Sequence, residues 1–187
     1  DAPPGLARGP APGTLHGPPR HHPVRLRPQR RGALWAYKEI NTLAENLFNE
    51  GDELSLYALA KENGIPKDFV DMYLQGDIPE LVDAQTAAVG KLDIEIQELK
   101  PQTIMKDWAE YIKVQAMEHE DIAIKVREKC KSLKGCIAEL LKWSFGHQTE
   151  IDKDILKAAG VTASRVTLGM PGLAEAKKII KEYYLGK

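Results

Sequence analysis

The stretch Lys131–Phe145, KSLKGCIAELLKWSF, decides the fold of this chain. On a helix of about 100° per residue, one side collects most of its apolar side chains: Leu133, Cys136, Ile137, Leu140 and Leu141, together with Ser144. Lys131, Lys134 and Lys142 form a second stripe beside this one. Ser132 precedes the apolar run, and its hydroxyl can accept a hydrogen bond from a free N–H group of the first turn. The stretch therefore predicts an amphipathic helix capped by Ser132.

Helical spacing of apolar residues recurs before this stretch. We predict four helices there, each bounded by residues that end or begin helices: about 36–49, ending at Gly51; 52–62, capped by Asp52 and ended by Asn63-Gly64; 66–75, ended by Gly76-Asp77; and 79–99, opened by Pro79. Gly90 lies within the fourth of these and weakens a helix at that point.

The rest of the chain repeats the pattern. After Pro101 the spacing predicts helical segments as far as Cys130. Beyond the opening stretch it predicts a short helix capped by Thr149, a short strand at 166–170 and a last helix over about 172–185 that buries Tyr183 or Tyr184. The predicted fold class is all-α, built from amphipathic helices in two regions, 36–100 and 101–187.

Composition changes abruptly near residue 37. Residues 1–37 hold eight of the twelve prolines, six of the eight arginines and no lysine, for a formal charge of +5. Residues 38–187 carry −6. Because the first part lacks periodic apolar residues, we predict that 1–35 is a disordered tail. Its sudden change of residue usage is also typical of translated sequence upstream of a gene, so we expect no site in it.

Two cysteines, Cys130 and Cys136, give no disulfide framework of the kind that small secreted proteins use. No apolar run approaches the roughly 18 residues of a membrane-spanning helix, and we expect no membrane association. The cytoplasm is the expected compartment. The oligomeric state stays open.

No pattern of catalytic or cofactor-binding residues emerges. Cys130, Cys136, His119 and His147 could be interpreted as four zinc ligands, but a Cys-x5-Cys spacing fits no common zinc site. A Cys–His nucleophile pair is no better supported, because nothing marks a third orienting group or an oxyanion site. We therefore expect no enzyme, no cofactor and no metal, and we expect Cys136 to be a core residue.

Residues 56–74, LYALAKENGIPKDFVDMYL, have the outline of a helix-turn-helix, with an alanine in the first helix and a Gly-Ile turn. The second helix offers Lys67 but also Asp68 and Asp71, whose carboxylates repel phosphates. A plain helical hairpin is the favoured interpretation, and DNA reading is the alternative.

A candidate interaction surface combines the lysine stripe with nearby aromatic residues, because aromatic rings beside cations are common in binding surfaces. Its members are Lys131, Lys134, Lys142, Trp143, Phe145, Tyr183 and Tyr184. The competing interpretation is that the rings complete a small core and that the lysines form a solvated face.

Three segments carry a resemblance to a known family: KDWAEYIKVQAMEHEDIAIKV (106–126), KSLKGCIAELLKWSF (131–145) and KIIKEYYL (178–185). Over residues 101–187 the chain resembles the PcfK-like family of bacterial mobile elements, which includes anti-CRISPR inhibitors of the type II CRISPR RNA-guided nuclease. The resemblance implies a non-enzymatic protein of a phage or conjugative plasmid, with that nuclease as its protein partner. The alternative is a nucleic-acid-binding accessory protein that uses the 56–74 hairpin or the 131–142 lysine stripe.

Overall fold

Short turns and helix caps divide the chain into helices of one to four turns. The computed structural model describes residues 36–186, and the predictions made for residues 1–35 lie outside this part. Within it, nine helices and one two-stranded sheet follow in order: α1 (Tyr37–Glu50), α2 (Glu53–Glu62), α3 (Lys67–Gln75), α4 (Ala84–Leu99), α5 (Ile104–Glu118), α6 (Glu120–Val126), α7 (Leu133–Gly146), β1 (Thr149–Glu150), α8 (Lys153–Ala158), β2 (Thr167–Leu168) and α9 (Leu173–Leu185). The all-α fold class is confirmed.

Side-chain caps fix where several helices begin. Ser132 accepts a hydrogen bond from the Gly135 N–H at 3.0 Å, as predicted for α7. Asp52 likewise accepts from the Ser55 N–H at 3.0 Å at the start of α2. Both predicted caps are confirmed, because each oxygen satisfies a backbone donor that the first helical turn leaves free.

The fourth helix begins later than predicted. It starts at Ala84 rather than Pro79, and Asp83 caps it by accepting from the Thr86 N–H at 2.6 Å. Before it, the amide of Asn41 bridges the backbone of Val82, accepting from its N–H at 3.1 Å and donating to its carbonyl at 2.8 Å. The predicted start was wrong because a distant side chain satisfies this backbone in place of a helical turn.

Residues 147–172 form an arm between α7 and α9. The predicted strand is confirmed at Thr167–Leu168, and it pairs antiparallel with β1. Thr149 belongs to β1 rather than capping a helix, and Asp152 caps α8 by accepting from the Asp154 N–H at 2.8 Å. The predicted cap at Thr149 was therefore wrong, since the hairpin pairing takes this residue. The arm buries little apolar surface, with Leu156 as its one buried large hydrophobic side chain.

Two clusters of apolar side chains form the core of the described residues. The first draws on α4, α5, α6, α7 and α9, and it includes the stripe of Leu133, Cys136, Ile137 and Leu140. The second draws on α1, α2, α3 and the segment before α4. Helix α4 supplies Ala84, Ala88 and Leu92 to the first cluster and Ala87 to the second. The predicted regional boundary at 100/101 coincides with the junction between α4 and α5.

Gly90 does not interrupt α4, which is continuous through it. A Cβ atom at Gly90 would lie 2.6 Å from the Asn63 carbonyl oxygen and 2.7 Å from that of Gly64. Gly64 itself has a φ of +69°, where side chains are strained. The two glycines let the α2–α3 turn lie directly on α4.

We expect Gly90→Ala to destabilise the fold by about 2 kcal/mol, because the added methyl group meets backbone that has no room to move. Urea unfolding followed by circular dichroism measures this change. Gly146→Ala is the matched control, since nothing lies within 4 Å of a Cβ there and the residue is helical. Equal midpoints for the two variants would contradict the close approach.

Candidate functional site

The N-terminal end of α7 is held against the end of α9. The Lys131 ammonium donates to the Tyr183 carbonyl oxygen and lies 4.7 Å from the centroid of the Tyr183 ring. The Ser132 N–H donates to the Tyr183 hydroxyl at 3.0 Å. Lys131 and Tyr183 are both half-buried. These two members of the predicted surface are therefore engaged with each other.

The C-terminal end of α7 is more open. Phe145 is 78% exposed. Trp143 is half-buried and stacks on His147, with ring centroids 4.1 Å apart and planes 7° from parallel. Lys142 is exposed and pairs with Glu139 at 3.0 Å. A large apolar ring and a cation thus face solvent within one turn, and Lys134 adds an exposed cation two turns earlier.

Tyr184 lies in the core. Its side chain is 2% exposed, and among the described residues its hydroxyl has no hydrogen-bond partner. Burial raises the pKa of Tyr184, and the neighbouring thiol of Cys136 adds to this effect. Burial also raises the pKa of Cys136 to about 12, so this thiol stays protonated at neutral pH.

The seven residues of the predicted surface therefore do not form one continuous patch. Lys131 and Tyr183 meet at the first turn of α7, whereas Trp143 and Phe145 lie in its last turn, roughly 18 Å away at 1.5 Å per residue. Lys134, Lys142 and Phe145 are the exposed members. As an interaction surface the set remains a prediction, and its open part is the outer face and C-terminal end of α7.

Residues that could hold a metal are not gathered in the part of the chain that the structure describes. Within 36–186, no group of three or more histidine, cysteine, aspartate and glutamate side chains is placed to bind one. Cys130 is exposed, while Cys136 is buried. His147 makes a 2.8 Å contact from Nδ1 to the Trp143 carbonyl oxygen, which turns it toward its own helix.

Buried charges lie at the junction of α4, α6 and α7. Lys91 donates to the carbonyl oxygens of Val126 at 2.5 Å and Lys131 at 2.6 Å, and it pairs with Glu95 at 3.7 Å. The Glu95 carboxylate accepts from the Leu133 N–H at 3.0 Å. Burial lowers the pKa of Lys91 and raises that of Glu95. Lys91 and Glu95 thus bind backbone groups of the neighbouring helices, and their role is structural.

Arg127 extends this network toward the other cluster. Its guanidinium donates to the Ala87 carbonyl oxygen at 3.1 Å and to the Asn63 side-chain oxygen at 3.0 Å. Burial lowers the pKa of Arg127 to about 10, a value that still leaves it charged at neutral pH. Arg127 thereby connects the α2–α3 turn, α4 and the end of α6.

The 56–74 hairpin is formed by α2 and α3. Lys67, its exposed cation in α3, lies 5.7 Å from the centroid of the Tyr57 ring. The Tyr57 hydroxyl donates to the Asp71 carboxylate at 2.5 Å. Asp68 is exposed beside them. The outward face of α3 thus presents carboxylates around a single cation, a poor match to a phosphate backbone.

Charge divides unevenly along the described residues, a feature that helix periodicity does not reveal. Residues 36–128 hold nine basic and twenty acidic side chains, a formal −11. Residues 129–186 hold ten basic and six acidic ones, a formal +4. Lys177, Lys178 and Lys181 of α9 contribute to the second group and are all exposed. Counting charge over shorter segments would have found these lysines.

No protein-family model, curated protein or solved structure matches this chain. Within residues 36–186, no helix combines the length and apolar character needed to cross a bilayer.

The adjacent tyrosines of α9 are expected to respond oppositely to loss of their hydroxyls. Tyr184→Phe should stabilise the fold by about 1 kcal/mol, because it removes a buried polar group that has no partner. Tyr183→Phe should cost about 1 kcal/mol, because the Ser132 N–H then loses its acceptor. Urea unfolding of the two variants provides the comparison. A loss of stability in Tyr184→Phe equal to that in Tyr183→Phe would contradict the assigned environments.

Proposed function

We propose that this chain is a non-enzymatic protein of a bacterial mobile element that inhibits a type II CRISPR RNA-guided nuclease by binding it in the cytoplasm. The resemblance of residues 101–187 to the PcfK-like family suggests this partner. The observation that carries the proposal is the net charge of −11 on residues 36–128. Such a nuclease holds its guide–target duplex in a positively charged channel.

An acidic surface can compete with nucleic acid for such a channel. Carboxylates on helices attract the lysines and arginines that otherwise contact phosphates, and this attraction speeds the encounter of the two proteins. Exposed carboxylates are present along α1 and α2, including Glu45, Glu50 and Glu62. None of these three makes an ion pair within the described residues, so each is open to a partner's cations.

We expect the full chain to reduce target cleavage by a purified type II nuclease loaded with guide RNA. In a titration of cleavage against inhibitor concentration, the Glu45→Lys/Glu50→Lys/Glu62→Lys variant should need at least about tenfold more protein, since three attractive pairs become repulsive. Fluorescence anisotropy or interferometry with the same nuclease should give the corresponding loss of affinity.

A matched control reverses the charge of three acidic residues outside this region. Glu139→Lys/Glu150→Lys/Glu175→Lys changes three carboxylates of residues 129–186, and it should inhibit like the unmodified chain. The proposal fails if the unmodified chain neither binds the nuclease nor slows cleavage.

A second candidate function, nucleic-acid binding, is favoured by the +4 charge of residues 129–186. Lys134 and Lys142 lie on the exposed side of α7, and the nearly free ring of Phe145 can stack on a base. Lys131 contributes less, because its ammonium is already bound to Tyr183.

If this second function holds, the chain binds DNA or RNA with an affinity that falls as salt rises. Lys134→Gln/Lys142→Gln should then reduce the slope of log affinity against log salt by about 2, because each lysine that neutralises a phosphate adds nearly one unit to that slope. Lys38→Gln/Lys106→Gln, which changes two exposed lysines of the acidic region, is the control. Absence of binding at low salt would exclude this function.

A further inference from the structure

A groove lies between α5 and α9, and α6 closes one end of it. Its wider part is a cavity of about 460 Å³. Apolar side chains form its floor, and three of them, Ile112, Ile122 and Ile180, are buried. Its volume falls in the range of binding cavities.

The groove continues along the two helices. A second cavity of about 150 Å³ opens toward Ile104 and Leu173, and it shares Tyr111, Lys177 and Ile180 with the first. From Ile104 to Gln115 the α5 wall is roughly 16 Å long, which equals about three helical turns. A compact small molecule would fill one cavity, whereas an elongated occupant fits both.

One wall of the groove is cationic. Lys177, Lys178 and Lys181 of α9 line it and are exposed. The Lys177 ammonium lies 5.2 Å from the centroid of the Tyr111 ring on the opposite wall. The Lys178 ammonium is 4.0 Å from the Glu175 carboxylate. Lys181 makes no ion pair within the described residues. Two carboxylates also line the groove, Asp107 on the α5 wall near one end and Asp121 on α6 at the other end.

We propose that this groove binds an acidic amphipathic helix of a partner protein. Apolar side chains on one face of that helix fill the floor, as in other helix-in-groove complexes. Glutamates or aspartates on its flank meet the ammonium groups of Lys177 and Lys181, which are one turn apart. The cations of this site belong to α9, whereas Glu45, Glu50 and Glu62, the carboxylates used to test the proposed inhibition, lie on α1 and α2.

The probe is a fluorescein-labelled synthetic peptide of about 14 residues, or roughly four helical turns. It carries leucines every third or fourth position and glutamates along one flank. We expect saturable binding by anisotropy that weakens as salt rises. A peptide with the same leucines but lysines in place of the glutamates should bind at least about tenfold more weakly.

Variants of the full chain locate the site. Lys177→Glu/Lys181→Glu should weaken binding of the acidic peptide by about tenfold, because two attractive pairs become repulsive. Lys153→Glu/Lys157→Glu makes the same charge change at an exposed pair of α8 with the same spacing, and it should bind like the unmodified chain. Thermal melting by circular dichroism checks that both variants fold.

Several results would overturn the proposal. No saturable binding up to about 1 mM peptide would do so, as would equal losses in the two double variants or equal binding of the lysine peptide. Concentration-dependent self-association that displaces the peptide would assign the groove to a second copy of the chain instead. Binding of a free anionic amphiphile such as laurate, without binding of the peptide, would assign it to a small ligand.

Discussion

The buried ammonium of Lys91 is the interaction on which the rest of the structure depends. It donates to the carbonyl oxygens that end α6 and precede α7, Val126 and Lys131, while Glu95 one turn away accepts from the first N–H group of α7. An unpartnered charge at 4% exposure would be costly, so the ammonium stays buried only while these partners stay in place. The turn between α6 and α7 is thereby fixed to α4, and the helix that carries the fold-deciding stretch is fixed with it.

Arg127, which follows Val126 in sequence, binds α4 one turn before Lys91. Its contacts to Ala87 and Asn63 join the two apolar clusters through one side chain. Gly64 and Gly90 allow the α2–α3 turn to approach closely enough for Asn63 to reach it. Residues 36–186 belong to one compact unit, and α4 contributes side chains to both of its apolar clusters.

Local chemistry explains which parts were predictable from the sequence. The caps at Asp52 and Ser132 and the apolar stripe of α7 were predictable, because the residues that determine them are neighbours in sequence. The start of α4 was not predictable, because the side chain of Asn41, about 40 residues earlier, binds the backbone that precedes it. Strand β1 was not predictable either, because a strand of two residues has no periodic pattern. For the candidate surface, periodicity placed Lys131 and Tyr183 at α7 and α9 but could not reveal that they bind each other. The groove was not predicted for the same reason, since its two walls are far apart along the chain, with Lys177 lying 66 positions after Tyr111.

The sparsely packed arm over 147–172 is a position where the chain can be modified without disturbing the core. Because α7 and α9 contact each other directly through Lys131, Ser132 and Tyr183, the connection over 147–172 is not what holds them together. The exposed turn after α8, around Gly160, can therefore be opened or extended while the core keeps its contacts. That turn is the natural position for a reporter tag or a split into two complementing fragments, leaving both the outer face of α7 and the α5–α9 groove unobstructed.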